Sequence, residues 1–376
     1  MANRKTRRTR PRRRNGFVEL VNGVLSLIVF AMLLVGGVLF YGAWQFYGEG
    51  PTAEETTFRV EAGNNLSTVA TRLEEQGLIA NQYIFQLGGR ALDHQTNIKA
   101  GDFRIPPGSS MSEILRELTQ GDPIRYAVTI PEGWTSWEVV QRLNREDNLT
   151  GEIDALPAEG SILPGSYDYT PQDARQSVLD RMQQAMDEAV EEIWAGREDN
   201  LPLETPEELV TLASIVEKET GVPEERPQVA AVFVNRLKVP MRLQSDPTII
   251  YGITRGQSTL GRGLRRSEIE QETPYNTYQV DGLPPTPIAN PGIESLRAVA
   301  HPDEHAYLYF VAAGPVPSDG HVFAETYAEH RENVARWREI EQEAAAQAEQ
   351  EAQAAKDAIE AAEAETEDEE AAPVTE

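Results

Sequence analysis

The chain has 376 residues and 40 % hydrophobic content, enough for two or three domains with ordinary cores. It contains no cysteine, which excludes a disulfide framework, a thiolate nucleophile and a zinc–thiolate site. The formal net charge of −27 argues against nucleic acid as a partner, although eight Lys and Arg residues are concentrated in residues 1–14 and thirteen acids in residues 341–376.

An uncharged apolar segment runs from Val21 to Phe46, and about 20 such residues are enough to cross a bilayer. The basic residues 1–20 before it predict a cytoplasmic N-terminus, and Trp44 and Tyr47 are placed like an interfacial aromatic belt. The alternative is a cleaved signal peptide, whose apolar region is typically only about 7–15 residues long. We therefore predict a single-pass anchor at 21–46, with the rest of the chain outside the inner membrane.

A spacing pattern follows the anchor and recurs three times. In each copy a β-branched residue lies three residues before a glycine, and apolar residues follow six and ten positions after that glycine. This spacing predicts a strand, a glycine turn and an amphipathic helix. The three copies are Val60 with Gly63, Val69 and Leu73; Ile105 with Gly108, Ile114 and Leu118; and Ile130 with Gly133, Val139 and Leu143.

The first copy, FRVEAGNNLSTVATRLEEQGLI, resembles a LysM-type carbohydrate-binding repeat. We therefore predict a small LysM-like module over residues 57–125, followed by a connecting α+β region over 126–204. At the other end of the chain, residues 339–376 are almost entirely Ala, Glu, Gln and Asp. Such a tail is predicted to be largely disordered, with helix only near the folded part.

A helix with a chemical role is predicted to begin at Thr205, which is followed by Pro206 and, three residues after the threonine, by Glu208. Its apolar stripe comprises Leu209, Leu212, Ala213 and Val216. Glu219 lies beside this stripe in the last turn, where burial and the helix dipole both favour a protonated carboxyl. A glycosidic general acid needs this property. Helix geometry alone does not choose between Glu217 and Glu219. The alternative is a solvated helix end, at which neither glutamate has a chemical role.

Polar and aromatic residues in two later segments are candidates for sugar contacts. Gln244 and Asp246 lie in MRLQSDPT, and Tyr275, Asn276 and Tyr278 lie in PYNTY. Aromatic faces and amide groups suit carbohydrate hydroxyls and rings, although Pro, Asn and Tyr are also ordinary loop residues.

The spacing of His301 and His305 fits a pair of metal ligands, but Pro302 and the lack of further ligands argue against a zinc site. We predict no metal and no cofactor.

Three ordered blocks resemble the endolytic murein transglycosylases of the YceG-like (MltG) family. They are LASIVEKETGVPEERPQVAAVFVNRLKVPMRLQSDPTIIYG, ETPYNTYQVDGLPPTPIANPG and AVAHPDEHAYLYFVA. The resemblance implies an α+β catalytic domain at 205–338, a periplasmic location and Glu219, the second acid of EKET, as the catalytic acid. It also implies cleavage of nascent glycan strands, with penicillin-binding proteins or other peptidoglycan synthases as partners.

Two other functions stay open at this stage. One is a muramidase that uses Glu219 together with Asp246 and water as the nucleophile. The other is a non-catalytic scaffold that binds glycan through the LysM-like module.

Overall fold

The computed structural model describes residues 16–93 and 97–370. Most of the predicted basic cytoplasmic segment 1–20 lies outside the described residues. Helices and strands alternate in the order α1 (Gly16–Tyr47), β1 (Thr56–Val60), α2 (Leu66–Glu75), α3 (Gln82–Ala91), β2 (Gly101–Ile105), α4 (Met111–Gln120), β3 (Tyr126–Ile130), α5 (Ser136–Asn144), β4 (Gly165–Tyr169), α6 (Arg175–Gly196), α7 (Pro206–Glu219), α8 (Arg226–Lys238), α9 (Asp246–Thr254), α10 (Arg266–Glu270), α11 (Ile293–Ala300), β5 (Tyr309–Ala312), β6 (His321–Ala324) and α12 (Tyr327–Glu370).

The described residues form two compact units. One comprises the described part of residues 1–126 with 170–172, and the other comprises 127–169 with the described part of 173–376. The segments predicted as a connecting region, 127–169 and 173–204, thus lie in the same unit as 205–338. Each unit combines helices with short two-stranded sheets, which agrees with the predicted α+β class.

Helix α1 contains one stretch, Glu19–Tyr47, that is long and apolar enough to cross a membrane. Its apolar side chains are largely exposed, with Leu33 71 % and Phe40 75 % accessible. Exposed leucine and phenylalanine over such a length are compatible with membrane anchoring, as the sequence predicts. Only near its end does α1 bury a large side chain, because Phe46 packs closely against Gly88 of α3.

The first unit is built on the antiparallel pair β1–β2, in which Phe58 lies directly opposite Phe103. Both rings are essentially inaccessible to solvent. Each strand leads through a left-handed glycine, Gly63 at φ +83° or Gly108 at φ +69°, into α2 or α4. Glycine adopts this conformation without a steric penalty, so the predicted strand, turn and helix are confirmed in both copies.

The third copy is confirmed in the second unit. There β3 leads through Gly133 into α5, which Thr135 caps and whose Val139 and Leu143 are buried. Strand β3 pairs with β4, and β5 pairs with β6 in antiparallel register.

Helix α7 lies at the centre of the second unit and packs against α6, α8 and α11. The sequence predicts one apolar stripe, but all residues from Leu209 to Val216 are buried. The two polar residues among them are satisfied internally. Thr211 Oγ1 donates to the Glu207 carbonyl at 2.8 Å, and Ser214 Oγ donates to the Thr211 carbonyl at 2.7 Å. Hydroxyls bonded to their own helix can be buried on any face.

Helix α12 differs from the predicted tail, because it continues through residues 339–370 as one helix that reaches Glu370. The helix thus extends further than the sequence predicts, which places helix only near the folded part. Alanine, glutamate and glutamine are among the strongest helix formers, and this intrinsic preference outweighs the lack of an apolar face.

Candidate active site

Helix α7 brings Glu219 to the edge of the core. Thr205 caps the helix by accepting a hydrogen bond from the Glu208 N–H at 3.3 Å, and Pro206 occupies the first turn. The four stripe residues Leu209, Leu212, Ala213 and Val216 are fully inaccessible, as predicted. Glu219 is the last residue of the helix and is only half-buried, so its carboxyl stands between the core and an open cavity.

The three charged residues at the end of α7 have different surroundings. The Glu217 carboxylate accepts hydrogen bonds from the Gly292 N–H at 3.0 Å and the Ser295 hydroxyl at 2.7 Å, and it lies 3.6 Å from Arg226. Lys218 is exposed and reaches the Gly133 carbonyl at 3.3 Å. Among the described residues, the Glu219 carboxyl forms no ion pair and faces the cavity.

This cavity has a volume of about 380 Å³ and draws its walls from five helices and strands and two loops. Acidic, basic and aromatic side chains converge on it, which is the composition expected of a site for a polar ring-shaped ligand. The lining residues are Glu219, Arg236, Gln244, Asp246, Tyr278, Tyr309, Phe310, Tyr327 and His330.

Burial raises the pKa of Glu219 to about 7. Loss of hydration is the main cause, because it disfavours the charged carboxylate, and the negative charge of Asp246 adds to it. The Ser245 hydroxyl and the positive charge of Arg236 act in the opposite direction. A carboxyl with a pKa near neutrality can both donate and accept a proton under physiological conditions.

Three of the five predicted sugar-contact residues do line the cavity. Asp246 is the first residue of α9, and its carboxylate accepts a hydrogen bond from the Tyr278 hydroxyl at 2.7 Å. Burial, Asp246 and then Glu219 raise the pKa of Tyr278, which therefore stays a neutral donor. Gln244 has a left-handed backbone, at φ +53°, that is uncommon for a residue with a side chain.

The structure places the other two, Tyr275 and Asn276, away from the cavity. Asn276 is fully buried, and its amide nitrogen donates to the backbone carbonyls of Glu268, Ile269 and Gln271 at 3.1, 3.0 and 2.6 Å. Its amide oxygen accepts the Tyr278 N–H at 3.0 Å. Asn276 thus holds the loop that presents Tyr278, which corrects the prediction that it contacts a sugar.

Tyr275 is also buried, and its hydroxyl lies 2.8 Å from the Thr286 hydroxyl. Its ring packs against Tyr251, with 5.3 Å between the ring centroids. The ring packs in the core, and Tyr275 does not line the cavity that Glu219 faces.

Sequence reasoning missed Arg236, which is 6 % exposed in the cavity wall. Its guanidinium donates to the backbone carbonyls of Leu308, at 2.7 Å, and Leu243. Burial lowers the pKa of Arg236, and the nearby Glu219 opposes that change. Since the partners are carbonyls contributed by distant segments, nothing in the local sequence identifies this arginine.

Two further wall residues, Tyr327 and His330, come from the first turn of α12. The His330 ring stacks on Tyr309 with 5.1 Å between centroids. Burial, followed by the charge of Arg236, lowers the pKa of His330. The structure thus places His330 in the cavity wall.

His305, considered as a metal ligand, has protein partners for both ring nitrogens. Its Nε2 donates to the Gln228 carbonyl at 3.1 Å, and its Nδ1 accepts the Tyr307 N–H at 3.1 Å. These contacts give His305 a structural role between α8 and the segment before β5.

Known proteins resemble this chain over most of its length. It is 28 % identical over 365 residues to a protein of Streptococcus pneumoniae serotype 2 named endolytic murein transglycosylase, covering 83 % of this chain and 64 % of that protein. It is 27 % identical over 332 residues to a Bacillus subtilis protein of the same name, covering 79 % and 89 %. The chain therefore spans less than two thirds of the length of its pneumococcal relative.

Among solved structures, a YceG-like protein from Listeria monocytogenes aligns with 27 % sequence identity and a TM-score of 0.47, over 74 % of this chain and 98 % of that one. The model of the YceG-like family matches residues 58–336, which include both the strand–helix segments and the whole cavity. This chain belongs to the YceG-like family.

Proposed function

We propose that this protein is a lytic transglycosylase that cleaves the bond between MurNAc and GlcNAc within peptidoglycan glycan strands. The observation that carries the proposal is the Glu219 carboxyl, whose pKa burial raises to about 7 in a cavity lined by aromatic and polar groups. The name of the relatives, endolytic murein transglycosylase, supports the same activity.

The reaction needs one residue that acts first as an acid and then as a base. Protonated Glu219 gives its proton to the glycosidic oxygen, the bond from that oxygen to C1 of MurNAc breaks, and an oxocarbenium-like centre develops. The Glu219 carboxylate then takes the proton of the MurNAc 6-hydroxyl, whose oxygen bonds to C1. The product carries a 1,6-anhydro ring, no water is consumed, and Glu219 ends protonated as it began.

The charged residues that line the cavity can stabilise the charges that develop in the two steps of this reaction. Asp246, which accepts the Tyr278 hydroxyl, presents negative charge to the developing positive centre at C1. Arg236 is fixed by backbone carbonyls and favours the carboxylate form of Glu219 between the two steps. The 6-hydroxyl belongs to the same sugar as C1, so proximity favours it over water.

A muramidase is the second candidate, because Asp246 lies in the same cavity as a second carboxylate. In that case Asp246 would assist attack by water, and the product would carry a reducing MurNAc end. Mass spectrometry distinguishes the two products, because the anhydro end is lighter by one water.

The deciding experiment uses the full chain with purified glycan strands. We expect anhydro ends from the wild type and no cleavage by Glu219→Gln, with Glu217→Gln as the matched control for charge at the end of α7. Products that carry reducing MurNAc ends and no anhydro ends would identify the protein as a muramidase instead of a transglycosylase. Full cleavage by Glu219→Gln would remove Glu219 from the mechanism, and full cellular function of that variant would favour a glycan-binding scaffold.

We also propose that residues 57–125 act as a LysM-like glycan-binding module. The support is the order strand, helix, helix, strand from β1 to β2, with the two strands paired antiparallel. Binding by such a module would keep the enzyme on a strand between cuts. Co-sedimentation of full-length Glu219→Gln with insoluble peptidoglycan tests retention without cleavage.

For the location of the enzyme, we propose a single-pass inner-membrane anchor with the catalytic unit in the periplasm. The apolar helix Glu19–Tyr47 and the basic residues before it support this orientation. Peptidoglycan synthases, including penicillin-binding proteins, are the proposed partners, since nascent strands emerge at the same membrane face. Protease accessibility of the C-terminal part in spheroplasts tests the orientation.

A further inference from the structure

The Ser245 hydroxyl does not cap the helix that follows it. Ser245 occupies the N-cap position of α9, where a serine oxygen ordinarily accepts an N–H from the first turn. The hydroxyl makes no such bond. The residue is only 1 % exposed, although its neighbours Gln244 and Asp246 both line the cavity.

The backbone of Ser245 is held in place from both sides. Its N–H donates to Thr277 Oγ1 at 3.0 Å, and its carbonyl accepts Thr248 Oγ1 at 2.7 Å. The two threonine hydroxyls lie 2.9 Å apart and are themselves buried. Because these hydrogen bonds fix its backbone, Ser245 holds its side chain in a defined direction. The orientation of its hydroxyl, which does not cap α9, is therefore part of the site.

The Ser245 hydroxyl has no hydrogen-bond partner of ordinary geometry among the described residues. A buried hydroxyl without a partner is costly and calls for an explanation. Ser245 lies between two residues that line the cavity with Glu219, and its hydroxyl is one of the groups that lower the pKa of that carboxyl. We propose that Ser245 is a positioning residue that orients the Glu219 carboxyl and donates a hydrogen bond to it when Glu219 has released its proton.

This role builds on the proposed function and adds a second donor to the acid–base cycle. Other charged or titratable groups around Glu219 are Arg236 of α8, Asp246 of α9, Tyr278 of the adjoining loop, Tyr309 of β5, and Tyr327 and His330 of α12. Arg236 is already committed to two carbonyls, and Tyr278 donates to Asp246. Since its buried hydroxyl has no other partner among the described residues, Ser245 is a neutral donor available to the carboxylate.

The test compares Ser245→Ala with Ser214→Ala in the full chain. Ser214 is an equally buried serine of α7, but its hydroxyl bonds to the Thr211 carbonyl and accepts the Ile288 N–H. Both variants lose one buried hydroxyl, and only Ser245 neighbours Glu219. Carbon-13 NMR of glutamate carboxyls in detergent micelles follows the titration of Glu219, whose signal is identified by its loss in Glu219→Gln.

We expect Ser245→Ala to raise the pKa of Glu219 by about 1 and to lower kcat about tenfold, because a hydrogen bond to a charged group is lost. The alkaline limb of kcat should move to higher pH by the same amount. Ser245→Thr, which keeps the hydroxyl, should restore both values, and Ser214→Ala should leave the titration of Glu219 unchanged.

An unchanged Glu219 titration in Ser245→Ala would overturn the proposal, as would an equal change in Ser214→Ala. A rise in KM without any change in the titration would assign the hydroxyl to substrate instead, and would also overturn it. The titration needs no substrate, so it remains decisive for this pair of residues. Absence of anhydro product from the wild type would contradict the proposed function separately.

Discussion

Glu217 and Glu219 lie two residues apart at the end of α7, yet their carboxyls have opposite surroundings. The Glu217 carboxylate binds the Gly292 N–H and the Ser295 hydroxyl at the start of α11. The Glu219 carboxyl faces the cavity and has a pKa raised by burial to about 7. One acid therefore joins two helices as an anion, and the other is free to exchange a proton.

Replacement of the two acids should separate stability from activity. Glu217→Ala removes two hydrogen bonds and leaves Arg226 with Glu132, 3.0 Å away, as its ion-pair partner in the described part of the chain, so we expect a loss of about 2–4 kcal/mol in the free energy of unfolding. Glu219→Gln should lower kcat by about 10²–10⁴, the usual contribution of general acid–base catalysis, without lowering stability. Denaturant titration and turnover of glycan strands measure the two effects.

The opposite pattern would contradict the assignment. If Glu217→Ala abolished cleavage while it kept the wild-type midpoint of unfolding, Glu217 would have the catalytic role.

The stability of the protein should depend on pH through Glu219. Its pKa is about 7 in the folded protein, against 4.5 for an ordinary glutamate, so the folded state keeps a proton that the unfolded state releases between these values. Stability is therefore highest below pH 4.5 with respect to this group, falls as pH rises, and has lost about 1–3 kcal/mol above pH 7. Glu219→Gln should remove this loss.

Thermal unfolding of the wild type and Glu219→Gln at pH 5 and pH 8 measures this contribution. The variant should gain in Tm relative to the wild type at pH 8 and gain much less at pH 5. An equal difference at both values would show that Glu219 does not hold its proton in the folded state.

Cleavage should decline as pH rises through about 7. The first step needs a protonated Glu219, and above the pKa of this residue the protonated fraction falls about tenfold for each pH unit. The pH dependence of kcat on purified glycan strands checks this expectation. A rate that stays constant from pH 6 to pH 9 would be inconsistent with Glu219 as the proton donor.

Asn276→Ala should destabilise the protein and disturb the site indirectly. The substitution leaves three backbone carbonyls without this donor and the Tyr278 N–H without its acceptor, for which we expect a loss of about 2–4 kcal/mol. Because Tyr278 would then hold Asp246 less firmly, kcat should fall at temperatures where the variant is still folded. Tyr278→Phe, which removes only the hydroxyl, serves as the matched comparison and should lower kcat with little loss of stability.

Local structure could be predicted from the sequence wherever it depends on residues that are close together along the chain. Gly63, Gly108 and Gly133 each follow a strand and precede a helix, because a left-handed turn needs glycine and the apolar spacing sets the helical face. The start of α7 follows in the same way from Thr205 and Pro206. The burial of the whole of α7 was not readable, since Thr211 and Ser214 look polar until their hydroxyls are paired within the helix.

The site was only partly predictable for a related reason. Glu219, Gln244, Asp246 and Tyr278 belong to segments with distinctive residues, and the structure brings them to one cavity. Arg236 and His330 join them only through tertiary packing, from helices whose local sequence carries no catalytic pattern. Asn276 shows the converse case. Its motif indicates a loop beside the site, but its amide nitrogen donates to backbone carbonyls and does not face the cavity.

Two residues that line the cavity, Tyr327 and His330, belong to the first turn of a helix that runs to Glu370. This arrangement sets a lower limit for any minimal catalytic fragment. A chain shortened to end before Thr326 would leave the cavity open on one side, whereas one that keeps the opening turns of α12 would retain every wall. The family match ends at residue 336, just beyond that limit, so a chain that ends there would keep all the residues that line the cavity.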